Sequence, residues 1–222
     1  MAKANNLSGL YIVLDGIVGC GKSEQIRQLK KYLPLDFSDF DFVFTYEPGG
    51  TPDTEELREK LKHSKMTPEE EMLLFAKSRA ITIPRVIIPV LERDGIIISD
   101  RSFTTSLAYQ GFGRGLGVNK VWQANKKAIN GIFPDILIHL KVGRDVCLNR
   151  SAGDKPDKFD KESGVFWKKT DDGFDKMIDF LQGISPNTKI IQIRDPEGKL
   201  SVEQTRLAIK SDLYPLIKEN IG

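Results

Sequence analysis

Long apolar runs are what this chain most clearly lacks. No stretch approaches the roughly 18 consecutive apolar residues of a membrane-spanning helix, so no membrane partner is expected. Cysteine is scarce as well. The two present among 222 residues, Cys20 and Cys147, have no metal-like spacing and are too few for a disulfide-built fold. Cys20 lies within a glycine-rich loop that a disulfide would disrupt, which points to a reducing compartment. The opening stretch, Met1 to Ser8, is polar and holds no apolar signal core, so a cytoplasmic setting is expected. Histidine is equally rare, and His63 and His139 stand apart, so neither suggests catalysis or metal binding. Charge of one sign is missing too: 33 basic against 31 acidic residues leave a net +2, which gives no support for a nucleic-acid partner. There is no internal repeat and no low-complexity linker. With 40% apolar and 29% charged residues, the length suits one globular α/β domain spanning 1–222.

What is present is a nine-residue stretch, Asp15-Gly16-Ile17-Val18-Gly19-Cys20-Gly21-Lys22-Ser23. It fits G-x-x-x-x-G-K-S/T, with an apolar run, Leu10 to Leu14, before it and a helix-compatible segment, Lys22 to Tyr32, after it. Glycines let successive backbone N–H groups converge on phosphate oxygens, and the new helix adds its positive end to the same point. Lys22 is placed to reach the outer phosphates and Ser23 to ligate Mg²⁺. A bound nucleoside triphosphate is the direct implication. A guanine-specific switch is not indicated, because Asn119-Lys120-Val121-Trp122 lacks the Asp of N/T-K-x-D.

Four further apolar runs alternate with helix-like segments: Phe42–Tyr46, Ile96–Ser99, Ile136–Leu140 and Lys189–Ile193. The pattern predicts a parallel sheet of five strands with helices on both sides and its ligands beyond the strands' carboxyl ends. After the second strand, Glu47-Pro48-Gly49-Gly50-Thr51-Pro52 is a defined turn, followed by a solvated helix rich in Glu and Lys, Asp53 to Lys65. Thr67-Pro68-Glu69-Glu70 opens a helix that puts Phe75 and Arg79 on one face, an aromatic and a cation suited to a base and its phosphate. Pro84 and Pro89 should bend its continuation. The third strand runs into Asp100-Arg101, a carboxylate for the metal side and a planar fork for a phosphate. Thr104 to Gly115 combines hydroxyls and amides for a base edge with glycines suited to a flexible, closely approached backbone. Val142 to Arg150 reads as a helix, and the polar stretch 151–161, with Lys155, Lys158 and Lys161, as a mobile basic lid.

Taken together, these residues resemble the thymidylate kinase family of nucleoside-monophosphate kinases. The similarity spreads from Tyr11 to about Phe180 and is clearest at Gly16 to Ser23, at Glu47-Pro48-Gly49-Gly50-Thr51, at Leu74-Phe75-Ala76 through Arg79-Ala80, and at Asp100-Arg101 through Tyr109-Gln110-Gly111. The resemblance implies a three-layer P-loop NTPase fold and ATP-dependent phosphorylation of dTMP to dTDP, with Mg²⁺ bridging the donor phosphates. It implies a homodimer. Gly16, Ile17, Val18, Gly19, Cys20, Gly21, Lys22, Ser23 and Arg150 would hold ATP, with Ser23 and Asp100 at the metal. Glu47, Phe75, Arg79, Arg101, Thr105, Ser106, Tyr109 and Gln110 would hold dTMP. In that set Phe75 stacks on thymine, Arg79 and Arg101 clamp the acceptor phosphate, Thr105 and Ser106 contact the base, and Tyr109 crowds a ribose 2′-OH. Lys22, Asp100 and Arg101 form the catalytic group, and Arg150 with lid lysines such as Lys155 and Lys158 covers the transfer.

Departures from the family pattern keep other readings open. Val18 stands where the family carries Asp or Glu, Tyr46 where it carries Arg before E-P-G-G-T, and the lid offers lysines where arginines are usual. A kinase for another (deoxy)nucleoside monophosphate and a catalytically impaired nucleotide-binding protein are the two alternatives. Under the kinase readings, Lys22→Met is expected to reduce phosphoryl transfer to background while the unfolding midpoint stays near wild type. Near-normal ADP release by that variant would remove the phosphate-loop assignment.

Overall fold

The computed structural model describes residues 7–151, 159 and 162–221. Five strands form one all-parallel sheet in the order β2-β3-β1-β4-β5. They are β1 (Leu10–Asp15), β2 (Phe42–Tyr46), β3 (Ile96–Asp100), β4 (Ile136–Val142) and β5 (Lys189–Asp195). All five expected strands are present, several extended by one or two residues at their carboxyl ends. The apolar runs are continuous because helices cover both faces, so alternate residues have no solvent side to serve. β1 is central, with Ile12 opposite Ile98 of β3 on one side and Ile136 of β4 on the other.

The helices are α1 (Lys22–Asp36), α2 (Pro52–His63), α3 (Pro68–Thr82), α4 (Ile88–Glu92), α5 (Phe103–Ser106), α6 (Val118–Ala128), α7 (Arg144–Ser151), α8 (Gly164–Ile184) and α9 (Val202–Ile221). α3 starts as its sequence predicts. The Thr67 hydroxyl accepts from Glu70 N while the Glu70 carboxylate accepts from Thr67 N, with Pro68 in the first turn. Past Thr82 the helix widens to a π turn over Ile83–Ile87, closed by Ile88 N on Ile83 O, before α4. Pro84 has no N–H to give, so the expected bend takes the form of a wider turn.

Thr104 to Gly115 departs from the expectation of a flexible backbone. α5 runs directly into a second π helix, Leu107–Gly113, buried through Gly111. Close approach is what its glycine serves: a Cβ on Gly113 would lie 2.3 Å from Thr170 Oγ1 of α8. The helix read from Val142 begins at Arg144 instead, because Val142 still pairs with Asp195 in the sheet. The lid expectation, 151–161 with Lys155, Lys158 and Lys161, lies largely outside the described residues. Among the described residues no helix is long and apolar enough to cross a membrane.

The core is built on β1. Ile12 is fully buried between β3 and β4. Ile12→Ala should cost about 2–5 kcal/mol by leaving a cavity, seen as a lower denaturation midpoint at unchanged slope. Val165→Ala, at a side chain 64% exposed on α8, should cost under about 0.5 kcal/mol and serves as its control.

Candidate active site

The phosphate loop joins β1 to α1 as its glycines require. Gly19 has φ +77°, and a Cβ there would lie 2.2 Å from the Cys147 carbonyl oxygen of α7. The buried Lys22 ammonium donates to Gly16 O at 2.9 Å and Ile17 O at 2.8 Å, so it lies inside the loop's curve. Ser23 is exposed at the start of α1.

Asp15 supports the loop from beneath. Its buried carboxylate accepts from Gly16 N at 2.9 Å and from the hydroxyls of Thr104 and Thr105 at 2.6 Å each. Burial pushes this carboxyl above its usual range, against the pull of Arg101 and the two hydroxyls. This pin could not be read locally, since its two hydroxyl donors lie 89 and 90 residues away. Thr105, expected to contact a base, spends its hydroxyl here while still lining the neighbouring cleft.

That cleft opens beside the loop. Val18 and Arg101 form one wall, Phe75 of α3 another, and Tyr109 and Gln110 of the second π helix a third. Phe159 closes over it, with its ring centroid 6.4 Å from that of Phe75 and 5.9 Å from that of Tyr109. The Tyr109 hydroxyl accepts from Val18 N at 3.2 Å, and burial pushes its pKa up to about 12. Gln110 gives its amide to Glu71 Oε1 at 2.8 Å, and Arg114 holds the same carboxylate at 3.1 and 3.0 Å. The Gln110 carbonyl oxygen is buried without a hydrogen-bond partner.

The arginines separate sharply. Arg79 is 2% exposed and does not line the cleft. Its Nε donates to Glu47 Oε2 at 2.7 Å, Nη1 donates to Asn125, and Nη2 lies 3.5 Å from Ser106 Oγ. The Arg79 fork, expected to clamp a phosphate, is here held by a buried carboxylate. Burial raises the Glu47 carboxyl and Arg79 opposes that rise. Ser106 likewise sits behind the wall, 1% exposed. Arg101, by contrast, is half-buried at the cleft with φ +75°, a backbone region unusual for its residue type. Its Nη1 donates to Gly16 O at 3.2 Å, and its guanidinium lies 5.3 Å from the Tyr109 ring centroid. Burial alone would lower its pKa; Tyr109, Asp100 and Asp15 together hold it raised.

Two further cavities flank the loop. One is lined by Ser23, Asp100, Arg101, Glu47 and Arg58, so it shares three residues with the cleft. The Asp100 Oδ1 atom is buried there without a hydrogen-bond partner. The other lies beyond Cys20 and Gly21, between Arg150 and the turn after β5, where Asp195 accepts from Lys199 N at 2.8 Å and Leu200 N at 3.1 Å. Sequence reading missed this turn and Gln25 behind it. The signal was available: Asp195-Pro196-Glu197-Gly198 is a turn at a strand's carboxyl end.

Comparison with known proteins agrees with this geometry. The family profile of thymidylate kinase matches residues 14–199. A thymidylate kinase of Parasynechococcus marenigrum is 41% identical over 175 residues, covering 76% of this chain and 84% of that protein. One from Kosmotoga olearia is 34% identical over 213 residues, covering 95% and 98%. The crystal structure of thymidylate kinase from Ehrlichia chaffeensis superposes with a TM-score of 0.72 at 25% identity, covering 93% of this chain and 99% of that one. With a family match over most of its length and relatives above the thirty-per-cent level, the chain belongs to the thymidylate kinase family.

Proposed function

We propose that this chain, as a single kinase domain, transfers the γ-phosphoryl group of ATP to the 5′-phosphate of dTMP, giving dTDP and ADP. The observation that carries the reading is the shared wall. Arg101 lines both the aromatic cleft and the cavity that holds Ser23 and Asp100, so the two substrates would meet at its guanidinium. Phosphoryl transfer asks mainly for positioning and charge neutralisation, and this arrangement supplies both. The loop amides and Lys22 hold the donor phosphates, with Arg150 and the turn after β5 at the donor base. In the cleft, Phe75 offers a face to the pyrimidine. The unpartnered Gln110 oxygen suits the N3–H donor that thymine presents. Tyr109 stands where a ribose 2′-OH would intrude, and with its pKa near 12 it stays protonated across the neutral range.

The residues present fit Mg²⁺. Asp100 has a buried, unpartnered carboxylate oxygen, and Ser23 lines the same cavity. One carboxylate and one hydroxyl beside substrate phosphates is a usual set for this ion. When bound, it would supply charge neutralisation on the phosphates. Cys20 is a buried free thiol within the phosphate loop, which supports the cytoplasmic setting. A homodimer is part of the same proposal.

Val18 supports a second reading, in which another (deoxy)nucleoside monophosphate is the preferred acceptor. Its apolar side chain faces the cleft where the family carries a carboxylate. Turnover of dTMP, dUMP, dCMP, dAMP and dGMP separates the readings: dTMP is expected to give the highest kcat/KM, and a better acceptor elsewhere in the panel would replace the first reading by the second. Val18→Asp is expected to raise kcat/KM for dTMP by about tenfold, the scale of one hydrogen bond to a charged group. An unchanged value would mean that the cleft meets the acceptor sugar without a carboxylate at this position.

A further inference from the structure

The Gln110 side chain faces the cleft with a fixed polarity, because its nitrogen is already spent. Gln110 and Glu71 of α3 are both buried, and Gln110 Nε2 donates to Glu71 Oε1 at 2.8 Å. Gln110 lines the cleft, so its oxygen, without a partner among the described residues, is the amide atom left for a ligand. Glu71 is gripped on both oxygens by one guanidinium. Arg114 gives Nε to Oε1 at 3.1 Å and Nη2 to Oε2 at 3.0 Å. Such a two-point pair fixes the plane of a carboxylate as well as its place. Arg114 is braced in turn. Its Nη1 donates to Glu162, its guanidinium lies 4.6 Å from the Phe166 ring centroid, and its backbone N–H donates to Tyr109 O at 2.8 Å.

An ionised carboxylate accepts hydrogen bonds and donates none. Against the Glu71–Arg114 pair, the Gln110 amide therefore has one stable orientation, nitrogen to Glu71 and oxygen to the cleft. Turning it over would set oxygen against oxygen in a buried setting, where a lost hydrogen bond is costly. That polarity matters to a pyrimidine. Thymine and uracil carry a hydrogen on N3, which an oxygen accepts. Cytosine carries a lone pair there, which an oxygen repels. A site built to hydrogen-bond one edge rejects the other, since the mismatch leaves buried polar groups unpaired.

We infer that Glu71, locked by Arg114, is the positioning residue that decides which pyrimidine N3 edge the cleft takes, favouring dTMP and dUMP over dCMP. Both residues act through the Gln110 amide, from behind the wall. The inference rests on the acceptor reading above and deepens it.

Glu71→Gln is the direct test, because it keeps the side chain's size and offers the Gln110 amide a partner in either orientation. For the whole protein in steady state, the ratio of kcat/KM for dTMP to that for dCMP is expected to fall about tenfold or more. The ratio for dTMP to dUMP should change by less than about twofold, since both carry the N3 hydrogen. A merely structural loss would lower turnover of all three and move neither ratio. Adding Gln110→Glu to Glu71→Gln reverses the pair, with the carboxylate now at the cleft, and should restore most of the dTMP to dCMP ratio. Arg114→Lys keeps a charge but loses the two-point grip, so it should lower the same ratio by a smaller factor. It carries the test if Glu71→Gln does not fold. In the wild type, dUMP should outrank dCMP. Ratios unmoved in the folded variants, or wild-type turnover of dCMP as fast as that of dUMP, would overturn the inference and leave the acceptor reading standing. Absence of turnover of any monophosphate by the wild type would end the acceptor reading, and the inference with it.

Discussion

A single buried carboxylate sets the spacing between the two halves of this site. Asp15 ends the central strand and accepts from the first amide of the phosphate loop and from two hydroxyls of α5. Under the proposed function the loop would hold the donor phosphates, and α5 leads into the wall of the aromatic cleft, so one side chain ties both to the sheet. Leaving water costs a carboxylate several kcal/mol, and each hydrogen bond to a charged group returns only about 1.5–3 kcal/mol. Three such bonds and the nearby Arg101 cation make the burial tolerable. What they secure is geometry: a kinase that gains its rate from alignment needs its two anion sites at a fixed separation.

The same logic divides the arginines. A guanidinium that meets a buried carboxylate is committed to the scaffold, and one that meets carbonyl oxygens and aromatic rings keeps its charge for a ligand. Arg79 belongs to the first kind: Glu47 and Asn125 hold it behind the cleft, where it joins α3 to the turn after β2 and to α6. Arg101 is closer to the second: its direct contacts are Gly16 O and the Tyr109 ring, with the Asp15 and Asp100 charges nearby but, among the described residues, no ion pair to it. Breaking the buried Arg79–Glu47 pair would leave a charge stranded in the interior, a structural loss and not a binding loss.

Much of this was legible in the sequence, and what was not has a common cause. The five strands were readable because a sheet covered on both faces writes itself as apolar runs. The phosphate loop was readable because its chemistry is local, nine consecutive residues with their flanks. The start of α3 was readable for the same reason, since Thr67 and Glu70 cap each other within one turn. The partner of Arg79 was not legible, because its spacing from Phe75 gives a shared helix face but not the carboxylate waiting there, and Glu47 is 32 residues away. The wide turn at Leu107–Gly113 was illegible because glycines read as looseness also permit tight packing against α8, while at Ile83–Ile87 Pro84 announced a bend but not its π form.

Val18 marks where local and distant information join. Within the loop it is a free position of the motif. In the fold its amide donates to the Tyr109 hydroxyl, and the Tyr109 ring is packed edge-on by Phe159, Phe166, Trp167 and Phe174. The donor loop is thereby fastened to an aromatic cluster on the acceptor side through a backbone group, which no side-chain substitution at Val18 removes. A carboxylate at this position is therefore not needed to hold the loop in register with the cleft. Structural coupling here runs through the amide, and what a change at Val18 alters is the side chain's face on the cleft.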